Sequence, residues 1–552
     1  MAKYVLISDT TLTRYYHNIS LLDFLPSAPT TVPRKVYKFL QGGKPRAING
    51  RAAEAPYGLR KIEAALLKDH SPDEVVVAHE NHLESFIKGD TEVIAVHTMD
   101  PLGIGPLTMS FAVLMGCFKT HVRQDFEELI ARINRARKGL KAKLLVGGPG
   151  VWDFTMLPEE LERLGIDYAF YGEADDIAGQ IFADIASGSA KADGKFFKGF
   201  VFYDNTFSKN YVERDRFITR ARYGKQAPNL EEIPLIRNPS MKSLVEVMRG
   251  CGVGCDFCEV TLRPRRFYTN EMIRKEIEVN IAGGSDHAWV HSDEIFVYKS
   301  VGRLEPNPDA LKELFSAIMS VPGVRRANPT HGRISIPAGY PELIKDLSGI
   351  LKSGPDNWIG IQVGIETGSE KLAAKHMPNK TLPLKIGPDG SWHDIVINGT
   401  STFNRNYWRP AFTVQVGQPD ETPEDNWDTV ALINRLSNSS VDGRPLEFTV
   451  TPMQNVALGM LKGQKDFRAE DILHASQVAV YYAAYCHLFK MVDRSMKSAT
   501  PGNAIKKELM HRGFKFGSGL MLRLLEKMCR NKGLDPEDVK RHGLESGLAV
   551  RS

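Results

Sequence analysis

Three closely spaced cysteines constrain this chain more than any other feature of its sequence. They follow the apolar run Leu244–Met248, which has the pattern of a buried strand, with C-x3-C-x2-C spacing. Three thiolates this close together can bind three irons of a [4Fe–4S] cluster and leave the fourth iron open. The predicted cluster ligands are Cys251, Cys255 and Cys258.

A zinc site and a disulfide framework are the alternatives for this pattern. A structural zinc site takes four ligands, and the nearest other candidates, His287 and His291, lie beyond a long helical segment at no zinc-finger spacing. Disulfides would leave one of three cysteines unpaired, and the composition is not that of a small secreted scaffold. Glycines at 250, 252 and 254 allow the loop to wrap closely round a bulky inorganic ligand. The pattern therefore favours an iron–sulfur cluster.

Composition narrows the class of protein. The chain has 552 residues, enough for about three domains of ~150 residues. Its net charge is +5, from 71 basic and 66 acidic residues without a long basic block, which argues against bulk nucleic acid as a partner. The start of the chain lacks the apolar core of a signal peptide, and no run approaches the ~18–20 apolar residues of a membrane span. Six cysteines, three of them clustered, favour the reducing cytoplasm.

Alternating strands and helices at the beginning of the chain predict a Rossmann-like α/β domain with a mainly parallel sheet. Two glycine-rich loops, Asp100–Pro106 and Gly147–Gly150, follow predicted strands. Ligands of such sheets lie outside the carboxyl ends of the strands, so both loops are candidate binding loops. His79, His82 and His97 are predicted to be surface or loop residues.

Strands and helices alternate again after the cysteines, as in a (β/α)6 partial TIM barrel. In such barrels, residues at the carboxyl ends of the strands carry the chemistry. His331–Ile334 is predicted to lie in the third strand, and Ile359–Gly364 is predicted to be the fourth. The segment Asn379–Arg409 is longer than a usual link and is predicted to reach over the mouth of the barrel.

The last part of the chain has helical apolar spacing. Cys486 and Cys529 lie there, and free cysteines on helices are usually small buried apolar residues, so we expect no second cluster. A connector before the barrel contains a possible hairpin around Gly199–Asn210. The predicted division is an α/β domain at 1–186, a connector at 187–240, the barrel at 241–462 and a helical domain at 463–552.

The cysteine spacing, with an aromatic residue before the third cysteine, resembles the signature of the radical S-adenosylmethionine (SAM) enzymes. The resemblance implies that SAM chelates the open iron and is cleaved reductively to a 5′-deoxyadenosyl radical. Ile365-Glu-Thr-Gly-Ser-Glu370 resembles the family's G-I-E-S/T-G-S-E strand, whose acid commonly meets the SAM ribose. A carboxylate can accept a hydrogen bond from each ribose hydroxyl. The residues that the resemblance places near SAM are Phe257, Ser292, Asp293, Glu294, Arg333, Glu366, Thr367, Gln415 and Gly417.

A second resemblance concerns the stretch LLVGGPGVWDFTMLPEELERLGIDYAFYGEAD at 144–175. It is similar to the last third of the cobalamin-binding domain that precedes many radical SAM domains. The D-x-H-x-x-G motif of domains that use histidine as lower ligand is absent, which implies base-off cobalamin without histidine on cobalt. The candidate cobalamin-binding residues are Asp100, Pro101, Leu102, Gly103, Gly105, Gly147, Gly148, Pro149, Gly172 and Glu173.

Together, the two resemblances imply a C-methyltransferase that uses SAM both to remethylate cobalamin and as the radical source. Its methyl acceptor would be an unactivated sp3 carbon, its electron donor a low-potential one, and no catalytic residue beyond the cofactor ligands is assigned. The length, single cluster and helical tail look most like archaeal enzymes that methylate a glutamine of the methyl-coenzyme M reductase α subunit. The alternatives are a radical enzyme acting on an archaeal lipid or small molecule, and a non-catalytic cobalamin sensor. The polar stretch Ser391–Arg409 favours a peptide over a lipid, and the intact cysteines and Glu366 count against a sensor.

Overall fold

The computed structural model describes most of the chain, and its residues form two compact units. The described residues are 2–18, 20–190, 192, 194–197, 211–214, 216–224, 227–456, 458, 473–499 and 504–544. The first unit comprises 1–245, 268–288 and 321–324, and the second 246–267, 289–320 and 325–552. The hairpin predicted around Gly199–Asn210 lies outside the described residues.

A six-stranded parallel sheet forms the centre of the first unit. The strand order is β6-β5-β4-β3-β1-β2, and every adjacent pair is parallel. The order 2-1-3-4-5 is that of flavodoxin-like doubly wound sheets, in which ligands bind where the order reverses, between β1 and β3. The predicted Rossmann-like fold is confirmed. The strands are Tyr4–Ser8 (β1), Val75–Val77 (β2), Val93–His97 (β3), Lys143–Gly147 (β4), Tyr168–Tyr171 (β5) and Phe217–Thr219 (β6).

Helices cover both faces of this sheet because its strands are apolar on both sides. In β1, Val5 and Ile7 belong to one buried cluster, while Tyr4 and Leu6 belong to the other. Successive side chains of a strand point to opposite faces, so a continuous apolar run requires packing on each face. The helices are Arg34–Leu40, Tyr57–Leu66, Leu83–Phe86, Pro106–Met115, His121–Ala136, Val151–Met156, Glu159–Arg163, Ala178–Ser187 and Asn270–Ala282.

A buried ion pair joins the last of these helices to the N-terminal part of the first unit. Lys61 is fully buried and pairs with Glu276, which is 2% exposed. The Glu276 carboxylate also accepts hydrogen bonds from the Tyr57 hydroxyl at 2.6 Å and the Ile236 N–H at 3.0 Å. A buried carboxylate needs such partners because its desolvation is costly.

Six strands build the barrel, the first two of them beginning in residues of the first unit. Within the second unit, the Val247 N–H donates to the His291 carbonyl and the Thr330 N–H to the Val290 carbonyl. The Gln362 N–H donates in turn to the Thr330 carbonyl, and β10, β11 and β12 pair in parallel. The (β/α)6 prediction is confirmed. The strands are Leu244–Glu246 (β7), His287–His291 (β8), Arg326–Pro329 (β9), Ile359–Glu366 (β10), Trp408–Val416 (β11) and Thr449–Gln454 (β12).

The third barrel strand lies earlier than predicted. It ends at Pro329, so placing His331–Ile334 in the strand was wrong. His331 makes only a single parallel bridge to Gln362, and the chain then turns away from the sheet. At this turn a side chain on Gly332 would lie 2.6 Å from the Phe296 ring, so glycine allows the close approach.

The segment Asn379–Arg409, predicted to reach over the barrel mouth, is only partly a loop. Its first part brings Lys380 to Glu366 at the mouth, and its later part is helical. Residues Trp392–Arg405 form a helix with a capping box, in which the Ser391 side chain accepts from the Asp394 N–H and Asp394 accepts from the Ser391 N–H. Trp392 and Phe403 are fully buried. The prediction gave weight to glycine and asparagine content and overlooked the helical spacing of the apolar residues.

Further helices belong to the second unit and include the predicted C-terminal ones. Cys529 is fully buried and Cys486 is half-buried, and burial raises the pKa of each thiol to about 11. Among the described residues, no helix is both long enough and apolar enough to cross a membrane. The helices are Pro308–Met319, Ser335–Gly339, Pro341–Leu351, Glu370–His376, Trp392–Arg405, Pro423–Asn438, Ala475–Ala499, Ala504–Asn531 and Pro536–Arg541.

Candidate functional site

The cysteine loop follows the first barrel strand and is closed at its base. Met248–Arg249 pairs antiparallel with Arg266–Phe267, so the intervening residues form one excursion from the barrel. Gly250, Gly252 and Gly254 have φ of +77°, +68° and +88°, a conformation that glycine adopts without strain. A side chain on Gly250 would meet the Pro264 carbonyl oxygen at 2.5 Å. The glycines therefore let the backbone curl round the cysteines.

The three thiols lie together inside this loop. Cys251 and Cys255 are 9% and 7% exposed, and Cys258 is half-buried. Burial raises the pKa of Cys251 to about 11 and that of Cys255 to about 12, and it also raises the pKa of Cys258. Buried thiols without compensation stay protonated, whereas metal binding replaces their protons.

These residues fit an iron–sulfur cluster better than a single ion. Among the described residues, no three His, Cys, Asp or Glu side chains are placed so that they could hold one metal ion. In a cluster each thiolate binds a different iron, so the thiols surround the cluster instead of converging on one point.

Other parts of the barrel anchor the cysteine loop by hydrogen bonds. The Asp293 carboxylate accepts from the Gly250 N–H at 2.6 Å, and the Asn379 side chain donates to the Val253 carbonyl at 2.9 Å. Asp293, predicted to lie near SAM, therefore holds the loop. The sequence pattern did not indicate Asn379.

His376 is a second anchor that the sequence did not reveal. Its Nδ1 lies 2.8 Å from the Asp256 carboxylate, and its backbone carbonyl accepts from the Asp256 N–H at 3.0 Å. The ring's other nitrogen lies 2.9 Å from the Pro419 carbonyl. This histidine thus ties the cysteine loop to the turn after β11. Sequence separation hid it, since His376 and Asp256 share no motif.

Glu366, the predicted ribose ligand, ends β10 and is 6% exposed. Its carboxylate accepts from the Gln415 amide at 3.0 Å and lies 3.3 Å from the Thr413 hydroxyl and 3.4 Å from the Lys380 ammonium. A side chain on Gly364 would lie 1.9 Å from Glu366 Oε1, so glycine makes room for this carboxylate. The carboxylate is therefore buried among polar side chains at the barrel mouth.

Glu294 and Arg333, also predicted to lie near SAM, form a buried ion pair at 3.3 Å. Burial raises the pKa of Glu294, an effect that Arg333 opposes. The Arg333 guanidinium also donates to the carbonyls of Leu382 and Leu304, each at 2.9 Å. Two of the five N–H groups of Arg333 are thus used by backbone carbonyls, and its role as a SAM ligand stays a prediction.

The remaining candidate residues for SAM binding differ in whether their polar groups already have hydrogen-bond partners within the protein. The Ser292 hydroxyl is fully buried and finds no hydrogen-bond partner in the described part of the chain. Thr367 contacts Thr429 at 3.3 Å, and the Gly417 N–H donates to Glu421 at 2.8 Å. Phe257 is half-buried within the cysteine loop. Buried polar groups normally have partners, so Ser292 is the candidate most in need of one.

In the first unit, the loop after β3 is stabilised by its own aspartate. Asp100 accepts from the N–H groups of Ile104 and Gly105, both at 2.9 Å, and residues 101–105 are buried. A side chain on Gly103 would lie 2.2 Å from the Thr120 hydroxyl. The glycines here thus serve internal packing. The predicted candidates Asp100, Pro101, Leu102, Gly103 and Gly105 lie in this tightly packed turn.

The loop after β4 is more open. Gly148 and Pro149 are exposed, and a side chain on Gly147 would meet nothing within 4 Å. Gly172, after β5, is exposed and has φ of +123°, and the following Glu173 is half-buried. Of the candidates for cobalamin, those after β4 offer the freest approach to a ligand.

His97 was predicted to be a surface or loop residue, and that prediction was wrong. It is the last residue of β3, half-buried between Gly58 and Gly148, and burial lowers its pKa to about 4. His79 lies in a loop but is buried, with Nε2 3.1 Å from the Pro45 carbonyl, whereas His82 is exposed. Close packing of glycines round the strand end, invisible in the local sequence, buries His97.

Comparison with known proteins finds solved structures with a similar fold but no protein with a similar sequence. No family model and no curated protein matches the sequence. The radical S-adenosylmethionine methyltransferase TsrM from Kitasatospora setae, with cobalamin and a [4Fe–4S] cluster bound, is 15% identical over 82% of this chain and 72% of its own, with a TM-score of 0.48. A structure of the same enzyme with tryptophan substrate and a SAM analog bound is 15% identical over 78% of this chain and 70% of its own, with a TM-score of 0.48.

A third solved structure is similar over nearly the whole chain. The cobalamin-dependent S-adenosylmethionine radical enzyme OxsB, with aqua-cobalamin bound, is 11% identical over 98% of this chain and 75% of its own, with a TM-score of 0.53. At this identity the likeness concerns the fold. This chain is therefore similar in fold to OxsB over 75% of the length of that enzyme.

Proposed function

We propose that this chain is a cobalamin-dependent radical SAM C-methyltransferase that methylates an unactivated sp3 carbon. The observation that carries the proposal is the set of three thiols in one glycine-lined loop at the carboxyl end of the first barrel strand. Cys251 and Cys255 are buried and Cys258 is half-buried. The flavodoxin-like sheet of the first unit supports the cobalamin assignment, because such sheets bind ligands at their strand ends.

In this proposal the protein binds and orients its cofactors. When bound, the cluster and SAM would supply a 5′-deoxyadenosyl radical, and the cobalamin the methyl group. The three cysteines would hold three irons, and Glu366 at the barrel mouth would accept hydrogen bonds from the SAM ribose. The buried surroundings of these residues would exclude water from the reacting groups. A low-potential electron donor is required as a partner.

We propose that the substrate is a protein, the methyl-coenzyme M reductase α subunit, and that the methylated residue is a glutamine. We propose that the enzyme acts in the cytoplasm. The length, single cysteine cluster and helical tail support this choice. The polar stretch Ser391–Arg409 no longer does, since it contains a core helix and the start of a strand. A lipid or other small molecule is the alternative substrate.

Isotope transfer tests the proposal. The anaerobically reconstituted protein is incubated with cobalamin, a chemical reductant, SAM carrying a deuterated methyl group, and the α-subunit peptide. We expect 5′-deoxyadenosine together with a peptide whose mass rises by one labelled methyl group in place of hydrogen. Label in an archaeal lipid extract instead would replace the substrate. Cobalamin binding without 5′-deoxyadenosine would identify a sensor and overturn the enzymatic proposal.

The bound cobalamin should be base-off, with no histidine on cobalt. The reason is that the sequence contains no D-x-H-x-x-G motif. His97, the last residue of β3, is not part of such a motif. Electron paramagnetic resonance of the cob(II)alamin form should show no nitrogen superhyperfine splitting, and His97→Ala should leave the spectrum unchanged. Imidazole splitting that disappears in His97→Ala would show that this prediction is wrong.

A further inference from the structure

Lys380 is a buried cation beside the cysteine loop. Its side chain is 12% exposed, and its ammonium lies 3.4 Å from the Glu366 carboxylate. A side chain on Gly364 would lie 2.7 Å from Lys380 Nζ, so that glycine leaves room for the ammonium as well as for the carboxylate. Buried lysines are rare unless paired, and Glu366 is the partner that Lys380 has in the described part of the chain.

The backbone next to Lys380 is fixed to the cysteine loop. Its neighbour Asn379 donates to the Val253 carbonyl at 2.9 Å and accepts from Arg303 at 2.8 Å. The preceding helix ends at His376, which contacts Asp256 of the same loop. These contacts fix the backbone at Lys380 relative to the cysteine loop, and the Glu366 carboxylate is the contact that holds the ammonium itself.

The Glu366 carboxylate is the ion-pair partner of Lys380, and the nearby thiols of Cys255 and Cys258 would become thiolates when a cluster is bound. Burial lowers the pKa of Lys380, but the neighbouring Cys255 and Glu366 outweigh this effect and raise it above its ordinary value. Cys258 acts in the same direction.

We propose that Lys380 is a charge-compensating residue for a [4Fe–4S] cluster held by Cys251, Cys255 and Cys258, and that it raises the reduction potential of that cluster. Reduction adds one electron to a site that already carries thiolate charge, and no bond forms or breaks. A fixed cation nearby favours the more negative state, since cluster potentials depend on net charge and surroundings. The inference rests on the proposed function only in that it requires the cluster.

The test compares reduction potentials in the absence of SAM, with mediators supplying the electron. Lys380→Met removes the charge but keeps most of the length, and Lys380→Arg keeps the charge. Lys375→Met is the matched control, because Lys375 lies five residues earlier and forms an exposed ion pair with Asp420. We expect a more negative potential for Lys380→Met alone, with Lys380→Arg and Lys375→Met close to wild type and about four irons per chain in all of them.

An unchanged potential in a fully loaded Lys380→Met protein would overturn the inference and leave the proposed function intact. A wild-type protein that binds no iron would instead reject the proposed function. If Lys380→Met does not assemble a cluster, Lys380→Gln serves as a second neutral variant. Loss of iron in both neutral variants, with iron retained in Lys380→Arg, would support compensation of charge during assembly. Loss in Lys380→Arg as well would indicate a packing role and overturn the inference.

Discussion

Replacing Cys251, Cys255 and Cys258 together by alanine is expected to remove the cluster and abolish formation of 5′-deoxyadenosine. The reconstituted wild-type protein should contain about four irons per chain, and the triple variant should fall to background. The physical reason is that the three thiols are grouped in one loop, two of them buried, and would bind the irons as thiolates. Iron and sulfide analysis, absorbance of the cluster and product chromatography measure the effect.

The matched control for this experiment is Cys117→Ala. Cys117 is a half-buried free cysteine of the first unit, whose sulfur lies 3.8 Å from the Thr30 hydroxyl, outside the cysteine loop. It should keep full iron content and product yield. Cobalamin binding should persist in the triple variant, because its candidate residues belong to the first unit. Iron retained by the triple variant, or about eight irons in wild type, would contradict the single-cluster assignment.

Glu366→Gln is expected to weaken SAM binding by about tenfold or more. The substitution keeps the side-chain volume and one acceptor but removes charge-assisted hydrogen bonds to the ribose, worth about 1.5–3 kcal/mol each. A loss of roughly 1.4 kcal/mol corresponds to one decade of affinity. Iron and cobalamin contents and the thermal midpoint should remain near wild type, which equilibrium binding, metal analysis and calorimetry can check.

The structure sharpens the competing explanation for Glu366. Its carboxylate contacts Lys380, Thr413 and Gln415, so it could act only as an internal ion-pair partner. Glu276→Gln is the matched control, since Glu276 is also buried beside a lysine but lies in the first unit. That control should lower the thermal midpoint without changing SAM affinity. The same behaviour in Glu366→Gln would show that its role is structural.

Local patterns alone predicted much of the fold. The continuous apolar strands predicted the parallel sheet of the first unit, because only a sheet covered on both faces buries residues such as Tyr4 and Val5 together. The alternation of strands and helices predicted the partial barrel. The cysteine spacing and its glycines predicted a loop that can surround a cluster, since spacing and positive φ are properties of a short segment.

Features that depend on distant contacts could not be predicted in this way. The end of the third strand at Pro329 is such a feature, because the chain turns there against Phe296 and Ile361. The helix Trp392–Arg405 is not, since its apolar spacing is local and was overlooked. The strand-end position of His97 between two glycines was likewise invisible.

The sequence by itself determined the residue types of the site: the thiols in their glycine-rich loop and an acid at the end of the fourth barrel strand. Only the tertiary structure placed Lys380 beside Glu366 and within the field of Cys255. The physical reason is that spacing within one loop is a local property of the chain. Charge compensation, in contrast, depends on which distant segments the barrel brings together, and no short pattern contains that information.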